Sequence, residues 1–142
     1  PKIIQALYKA SQAGVKVDCI VRGTCRLVPG IPGVSENIQV RSNIGRYLEH
    51  TRVYYFGNDG DTRIFGSSAD WMERNLLNRV EICFPIENEK WVKRVTQELN
   101  LYLQDNCQSW LLQRDGSYVK IARNEDEEAC NAQKILMETF SI

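Results

Sequence analysis

Apolar positions at the start of the chain recur at helical spacing and then change to a strand pattern. In residues 3–13 they fall on one face, which predicts an amphipathic helix. Gly14 favours the end of that helix, because glycine accepts a left-handed backbone. The β-branched run at 15–22 then predicts a buried strand. A helix followed by a buried strand is typical of an α/β fold whose sheet is partly parallel.

Two β-hairpins are predicted where short apolar runs flank turn residues. The first has strands at 52–56 and 62–68, joined by a polar turn at 57–61. The second spans 109–121, with its turn at Asp115–Gly116. Both patterns predict antiparallel pairs of neighbouring strands.

The other segments complete an α/β fold with a mixed β-sheet flanked by helices. A loop rich in Gly and Pro at 23–37 leaves the end of the first strand, which is where α/β folds bind ligands. The helix at 88–104 carries an apolar stripe that begins at Trp91 and is expected in the core. The remaining predicted elements are a strand at 38–44, a turn or short helix at 46–49, a short helix or extended turn at 69–78, a central strand at 79–86 and a closing helix at 124–140 with an acidic first turn.

Composition narrows the class of protein. The chain has 142 residues, enough for one domain, and a net charge of zero, which gives no general attraction to nucleic acid or anionic lipid. Five cysteines and one histidine lack the paired spacing of a zinc site, so we expect reduced structural cysteines in a cytoplasmic protein. No apolar run approaches the roughly 18–20 residues that span a bilayer; peripheral membrane association stays open. Because the chain begins at Pro1, we expect a piece of a longer protein.

Local charge indicates an anion site. Residues 16–52 carry six basic and three acidic side chains, a net charge of +3, and include the glycine-rich loop and the only histidine, His50. If a strand begins near His50, its side chain lies on one face with Arg52 and Tyr54. A histidine beside an arginine suits phosphoryl transfer, since the imidazole exchanges protons and the guanidinium binds phosphoryl oxygens.

Structural interpretations of the same residues stay open. A lone histidine is more often a surface or core residue than a catalytic one. Arg22, at the end of the first strand, fits a structural salt bridge equally well. The turn "GSSAD" at 66–70, which includes Ser67 and Ser68, either binds an anion or serves only as hairpin exit and helix N-cap.

Three stretches together resemble a known family. In order within residues 7–86 they are "GVKVDCIVRGTCRLVPGIPGVSENI", "RYLEHTRVYYF" and "SSADWMERNLLNRVE". They resemble the last domain of bacterial polyphosphate kinase, a family with a phospholipase D-like fold. On this resemblance residues 1–142 form the C-terminal catalytic domain, and 87–142 are its less diagnostic tail.

The resemblance implies an activity and roles for particular residues. The family transfers the terminal phosphate of ATP reversibly to inorganic polyphosphate, with Mg²⁺, through a phosphohistidine in a preceding domain that is absent here. His50 takes the place of a second essential histidine, and Arg22 that of an arginine that contacts ATP. ATP or phosphate binding is expected of His50, Arg22, Arg52, Ser67 and Ser68, whereas no metal ligand is expected in this chain, since the Mg²⁺ ligands lie mostly outside it.

One departure from the phospholipase D pattern limits the site. The H-x-K lysine is Arg52 here, which keeps the charge but cannot donate a proton. The chain also carries one half of a site that needs two, so we expect the isolated chain to be inactive. Its expected partners are ATP or ADP, polyphosphate, the N-terminal domains of the same polypeptide and, in the full-length enzyme, further copies of itself. The alternatives are a phospholipase D-like phosphodiesterase half-site and a non-catalytic module that binds polyphosphate or ATP.

Overall fold

Helices and strands alternate along most of the chain. The computed structural model describes residues 2–140. Its α-helices are α1 (Lys2–Gln12), α2 (Glu73–Asn78), α3 (Glu89–Gln104) and α4 (Ala132–Phe140). Its strands are β1 (Val17–Ile20), β2 (Ile38–Asn43), β3 (Val53–Phe56), β4 (Arg63–Ser67), β5 (Cys83–Pro85), β6 (Ser109–Leu112) and β7 (Tyr118–Lys120), and a single 3-10 turn covers Asn58–Gly60.

The chain divides into two compact units. The first combines the residues up to Leu48 with those from Glu98 onward, and the second is Glu49–Gln97, so the division falls within α3. Each unit has its own sheet. No helix within residues 2–140 is both long and apolar enough to cross a membrane.

The first unit contains the predicted mixed sheet. Its strand order is β1-β2-β6-β7, with β1 parallel to β2 and the other pairs antiparallel. The α/β prediction and the hairpin at 109–121 are therefore confirmed. The apolar side of α1 and strand side chains enclose the core of this unit. Its buried members are Leu27, Ile38, Val40 and Leu112, against which Ile4, Leu7, Tyr8, Val17, Cys19, Val21 and Cys25 pack.

The second unit contains an antiparallel sheet of order β3-β4-β5. Its β3–β4 pair confirms the first predicted hairpin. The prediction of a central strand at 79–86 is wrong, because β5 pairs only with β4 and its three residues are exposed. The strand ends at Pro85, and one more bond to β4 follows it, since the N–H of Ile86 donates to the carbonyl of Ile64 at 2.8 Å. The centre of this sheet is β4, whose Ile64 is 2% exposed.

Two other expectations for the C-terminal part need correction. The closing helix begins at Ala132, so the acidic residues at 125–128 precede it. Asn106 fixes that irregular segment, because its side chain bonds the carbonyl of Glu128 and the N–H of Cys130. Trp91 is 49% exposed and so is not a core residue of the described structure.

The cysteines are all free thiols, as the composition predicted. Cys83 is exposed, whereas the other four are partly buried. Burial raises the pKa of the Cys19 thiol to about 11, and Cys25 and Asp18 nearby add to the effect. At neutral pH Cys19 therefore stays an uncharged thiol that packs like a small apolar side chain.

Asp105 joins the end of α3 to the start of α4. Asp105 is a buried residue, only 2% exposed. One carboxylate oxygen accepts the N–H groups of Cys107 and Gln108 at 2.9 and 2.6 Å. The other accepts the N–H of Ala132, the first residue of α4, at 2.8 Å. A single side chain thus satisfies three backbone donors, one in a buried bond and two in partly buried bonds.

We predict that Asp105→Ala strongly destabilises the chain. A buried donor left without a partner costs about 1–3 kcal/mol, and three are affected here. We expect the free energy of unfolding to fall by about 3 kcal/mol or more, measured by urea unfolding followed by circular dichroism. Asp115→Ala is the control, because Asp115 is exposed and bonds only Ser117 within a turn. Equal losses in the two variants would contradict this role for Asp105.

Candidate functional site

Antiparallel pairing of β3 with β4 positions the candidate site of the second unit. Val53 lies opposite Gly66 in the ladder, so the residues before β3 run beside those after β4. The pairing extends one residue before the start of β3, where the N–H of Ser67 donates to the carbonyl of Arg52 at 2.9 Å. This brings the segment of His50 and the turn "GSSAD" together.

Arg52 is the centre of this arrangement. Its Nε donates to Oδ1 of Asp70 at 3.0 Å, which forms an ion pair. Its Nη1 donates to the backbone carbonyl of His50 at 2.7 Å. The side chains of Arg52 and Asp70 are only 15% and 29% exposed, so water screens this pair less than a pair at the open surface.

The imidazole of His50 also contacts Arg52. Nη1 of Arg52 lies 2.9 Å from Nδ1 and 3.3 Å from Nε2 of the ring. These contacts hold the guanidinium against the imidazole ring. His50 itself is exposed, which leaves the ring accessible to a ligand. The predicted proximity of His50 and Arg52 is present, although both residues precede β3 instead of lying in it.

Tyr54 packs against the turn after β4. Its hydroxyl donates to the carbonyl of Ala69 at 3.2 Å. Its ring stacks on Trp71, with centroids 4.9 Å apart. Tyr54, which was predicted to share a face with His50 and Arg52, therefore fixes the turn that carries Asp70.

The hydroxyls of Ser67 and Ser68 bond within the protein. Ser67 donates to the carbonyl of Ile82 at 3.0 Å and accepts the N–H of Ala69 at 3.1 Å. Ser68 donates to the carboxylate of Glu81 and accepts the N–H of Ile82 at 3.0 Å. These bonds join the end of β4 to residues 81–82, which directly precede β5. Phosphate binding by the two serines stays a prediction.

The prediction that the turn caps a helix is wrong. The N-cap residue of α2 is Met72, and no side chain caps this end of the helix. The turn follows β4 directly, so its predicted role as the exit of the hairpin is confirmed.

Arg22 belongs to the first unit, whereas the other candidate residues belong to the second. It follows β1, is half-buried, and directly precedes the predicted loop at 23–37, in which no helix or strand forms. The N–H of Val21 donates to the carbonyl of Arg41 at 2.8 Å, which extends the β1–β2 pairing up to Arg22. Arg22 therefore lies at the end of a parallel strand, and its contact with ATP stays a prediction.

Sequence reasoning missed Asp70 as a member of the site. The residue lies inside the quoted turn, but its partner Arg52 is 18 positions earlier. The available signal in the sequence was an arginine just before one strand of the hairpin and a carboxylate just after the other strand. Only the register of the hairpin shows that the two side chains meet.

No set of metal ligands accompanies these residues. Within residues 2–140 there is no group of three or more His, Cys, Asp or Glu side chains arranged to hold an ion. The donor set here therefore does not fit a complete Mg²⁺ site.

Comparison with protein families identifies the chain. The family described as "Polyphosphate kinase C-terminal domain 2" matches residues 1–133. The chain belongs to this family. A polyphosphate kinase of Pseudomonas aeruginosa is 60% identical over 99% of the chain, and that of Xylella fastidiosa strain Temecula1 is 54% identical over the same share. The chain spans about 20% of the length of these relatives.

A solved structure supports the same assignment. The crystal structure of polyphosphate kinase from Porphyromonas gingivalis matches with a TM-score of 0.92 and 38% identity, over 97% of this chain and 21% of that one. The polyphosphate kinase resemblance of the three quoted stretches is thereby confirmed. So is the fold class, an α/β fold of the phospholipase D-like type with helices flanking the sheets.

We predict that Ser68→Ala destabilises the second unit. The change leaves the N–H of Ile82 without its side-chain acceptor, which costs about 1 kcal/mol of unfolding free energy. Ser68→Thr, which keeps the hydroxyl, is the control, and thermal unfolding measures both variants. A wild-type midpoint for Ser68→Ala, together with a raised KM for ATP in the full-length enzyme, would instead assign Ser68 to phosphate binding.

Proposed function

We propose that this chain is the C-terminal catalytic domain of a polyphosphate kinase that transfers the γ-phosphate of ATP reversibly to inorganic polyphosphate. The single observation that carries the proposal is the His50–Arg52–Asp70 cluster in a chain of this family. The nucleophile is a histidine of a preceding domain, which becomes phosphorylated and then passes the phosphoryl group to polyphosphate. ADP is the other product.

The residues of this chain stabilise charge during the transfer. Phosphoryl transfer needs positioning and electrostatic stabilisation more than covalent chemistry from the protein. Arg22 binds the phosphates of ATP, and Arg52 adds positive charge beside His50. Ser67 and Ser68 contribute through the turn that their hydroxyls hold.

His50 assists the transferring group directly. It either hydrogen-bonds a phosphoryl oxygen or protonates the leaving oxygen. Its exposed position at the head of the hairpin supports both roles. The incoming histidine makes the in-line attack, so His50 needs no covalent intermediate of its own.

Mg²⁺ is the cofactor of the complete enzyme in this proposal. It would neutralise phosphate charge there. Since the described residues offer no set of ligands, its ligands lie mostly in other domains, and no step at His50 depends on a metal held by this chain.

The other domains of the same polypeptide are the proposed partners of this one. Relatives about five times as long support this, and so do large apolar side chains left at the surface of the second unit. Leu77, Val80 and Ile82 are 66%, 101% and 63% exposed. Large apolar side chains exposed in this way support a surface that other protein covers. A cytoplasmic location and assembly of the full-length enzyme into a homo-oligomer belong to the same proposal.

The phosphodiesterase alternative receives less support. It needs a lysine two residues after the histidine that can act in proton transfer. Arg52 stands there and is bonded to Asp70. A guanidinium keeps its proton at every physiological pH.

We predict that His50→Ala in the full-length enzyme lowers polyphosphate synthesis at least a hundredfold, as expected for loss of a group that contacts the transferring phosphoryl. Synthesis from ATP is measured directly, and circular dichroism checks that the fold is intact. Because His50 is exposed, its removal should leave the unfolding midpoint unchanged. Near-normal synthesis would refute the proposed role.

Arg22→Ala provides the second arm of this experiment. Loss of a phosphate contact raises the KM for ATP or lowers kcat/KM. Should the variant unfold instead, Arg22 would have the structural role that its half-buried position also permits.

A further inference from the structure

Asp70 is tied to the imidazole of His50 through one guanidinium. We propose that Asp70 is a positioning residue that acts through Arg52 to hold the imidazole of His50 in place for the transferring phosphoryl group. The proposal rests on the proposed function of His50 and deepens it, because it names the residue that positions His50 for that function.

The backbone around Asp70 is held in place before any ligand binds. The carbonyl of Ala69 accepts from Tyr54, and the N–H of Ala69 donates to Ser67. The carbonyl of Asp70 itself accepts the N–H of Met72 at 2.7 Å. The carboxylate therefore projects from a turn that is fixed on both sides.

The guanidinium of Arg52 is fixed from two directions. Nε is bonded to Asp70 at 3.0 Å, and Nη1 to the carbonyl of His50 at 2.7 Å. Because the guanidinium is planar and rigid, these two bonds set the orientation of every N–H that it carries. A lysine in this place would offer one ammonium group and could not span both partners in the same geometry.

The fixed guanidinium in turn holds the ring of His50. Its Nη1 lies 2.9 Å from Nδ1 and 3.3 Å from Nε2 of the imidazole, so both ring nitrogens lie against the same guanidinium nitrogen. Loss of the Asp70 carboxylate would remove one of the two bonds that fix Arg52, and with it the contact that orients the ring.

Removal of the carboxylate tests the positioning role. In the full-length enzyme we expect Asp70→Ala to lower kcat about tenfold or more, as misplaced catalytic groups do, with little change in the KM for ATP. Asp70→Asn keeps an acceptor oxygen and should recover part of the loss. Asp61→Ala is the matched control, because Asp61 pairs with Arg63 in the same sheet and is 67% exposed. Equal effects of Asp70→Ala and Asp61→Ala would overturn the proposal.

A double variant separates action through His50 from a general structural role. If Asp70 works through His50, Asp70→Ala adds no further loss of kcat in a His50→Ala enzyme. A structural role would give the full additional loss, and the proposal would fail while the function of His50 stood. If His50→Ala alone were nearly normal, the proposed function itself would fail.

The imidazole signals give a direct readout of this contact. His50 is the only histidine of the chain, so its ¹⁵N NMR signals are assigned without ambiguity. We expect Asp70→Ala to shift these signals, because Arg52 loses one of the bonds that hold it against the ring. No response to Asp70→Ala would contradict the proposal.

Discussion

The guanidinium of Arg52 is the contact on which the candidate site depends. It connects the residues before β3 to the turn after β4, through Asp70 on one side and His50 on the other. Both segments are irregular, so the hairpin alone would not fix their side chains. The ion pair is only partly exposed, which preserves its strength and its direction. The site is therefore an extension of the hairpin, built beyond the ends of its two strands.

Buried polar side chains likewise hold backbone segments together in the first unit. Asp105 satisfies the backbone between α3 and α4, and Arg41 donates to the carbonyls of Tyr102 and Leu103 at the end of α3. Burial lowers the pKa of the Arg41 guanidinium, although Asp18 and Asp105 oppose this shift. Carbonyls at a helix end have no partner within the helix, so a cation placed there is stabilising. Arg41 belongs to β2, so these bonds also support the parallel β1–β2 pair, which Arg22 and its loop follow.

Local patterns predicted most of the fold, and long-range contacts account for what they missed. The hairpins at 52–68 and 109–121 were predictable because their turns contain Gly, Asn and Asp between β-rich runs. The start of α4 was not, since Asn106 fixes the preceding segment from 22 and 24 residues away. The exposed edge position of β5 depends on which strand β4 pairs with, and hydrophobicity alone does not encode that. In the site, the two-residue spacing of His50 and Arg52 predicted their contact, whereas the partnership of Arg52 with Asp70 requires the hairpin register.

Transfer of label from γ-labelled ATP tests the central claim, that this chain assists phosphoryl transfer without receiving the phosphate. The assay compares this chain with the full-length enzyme that contains it, under the same conditions with Mg²⁺. We expect label in polyphosphate and on protein for the full-length enzyme, with the labelled histidine outside this domain, and no stable label on this chain alone. Label attached to this chain at His50 would make His50 the phosphoacceptor and contradict the account.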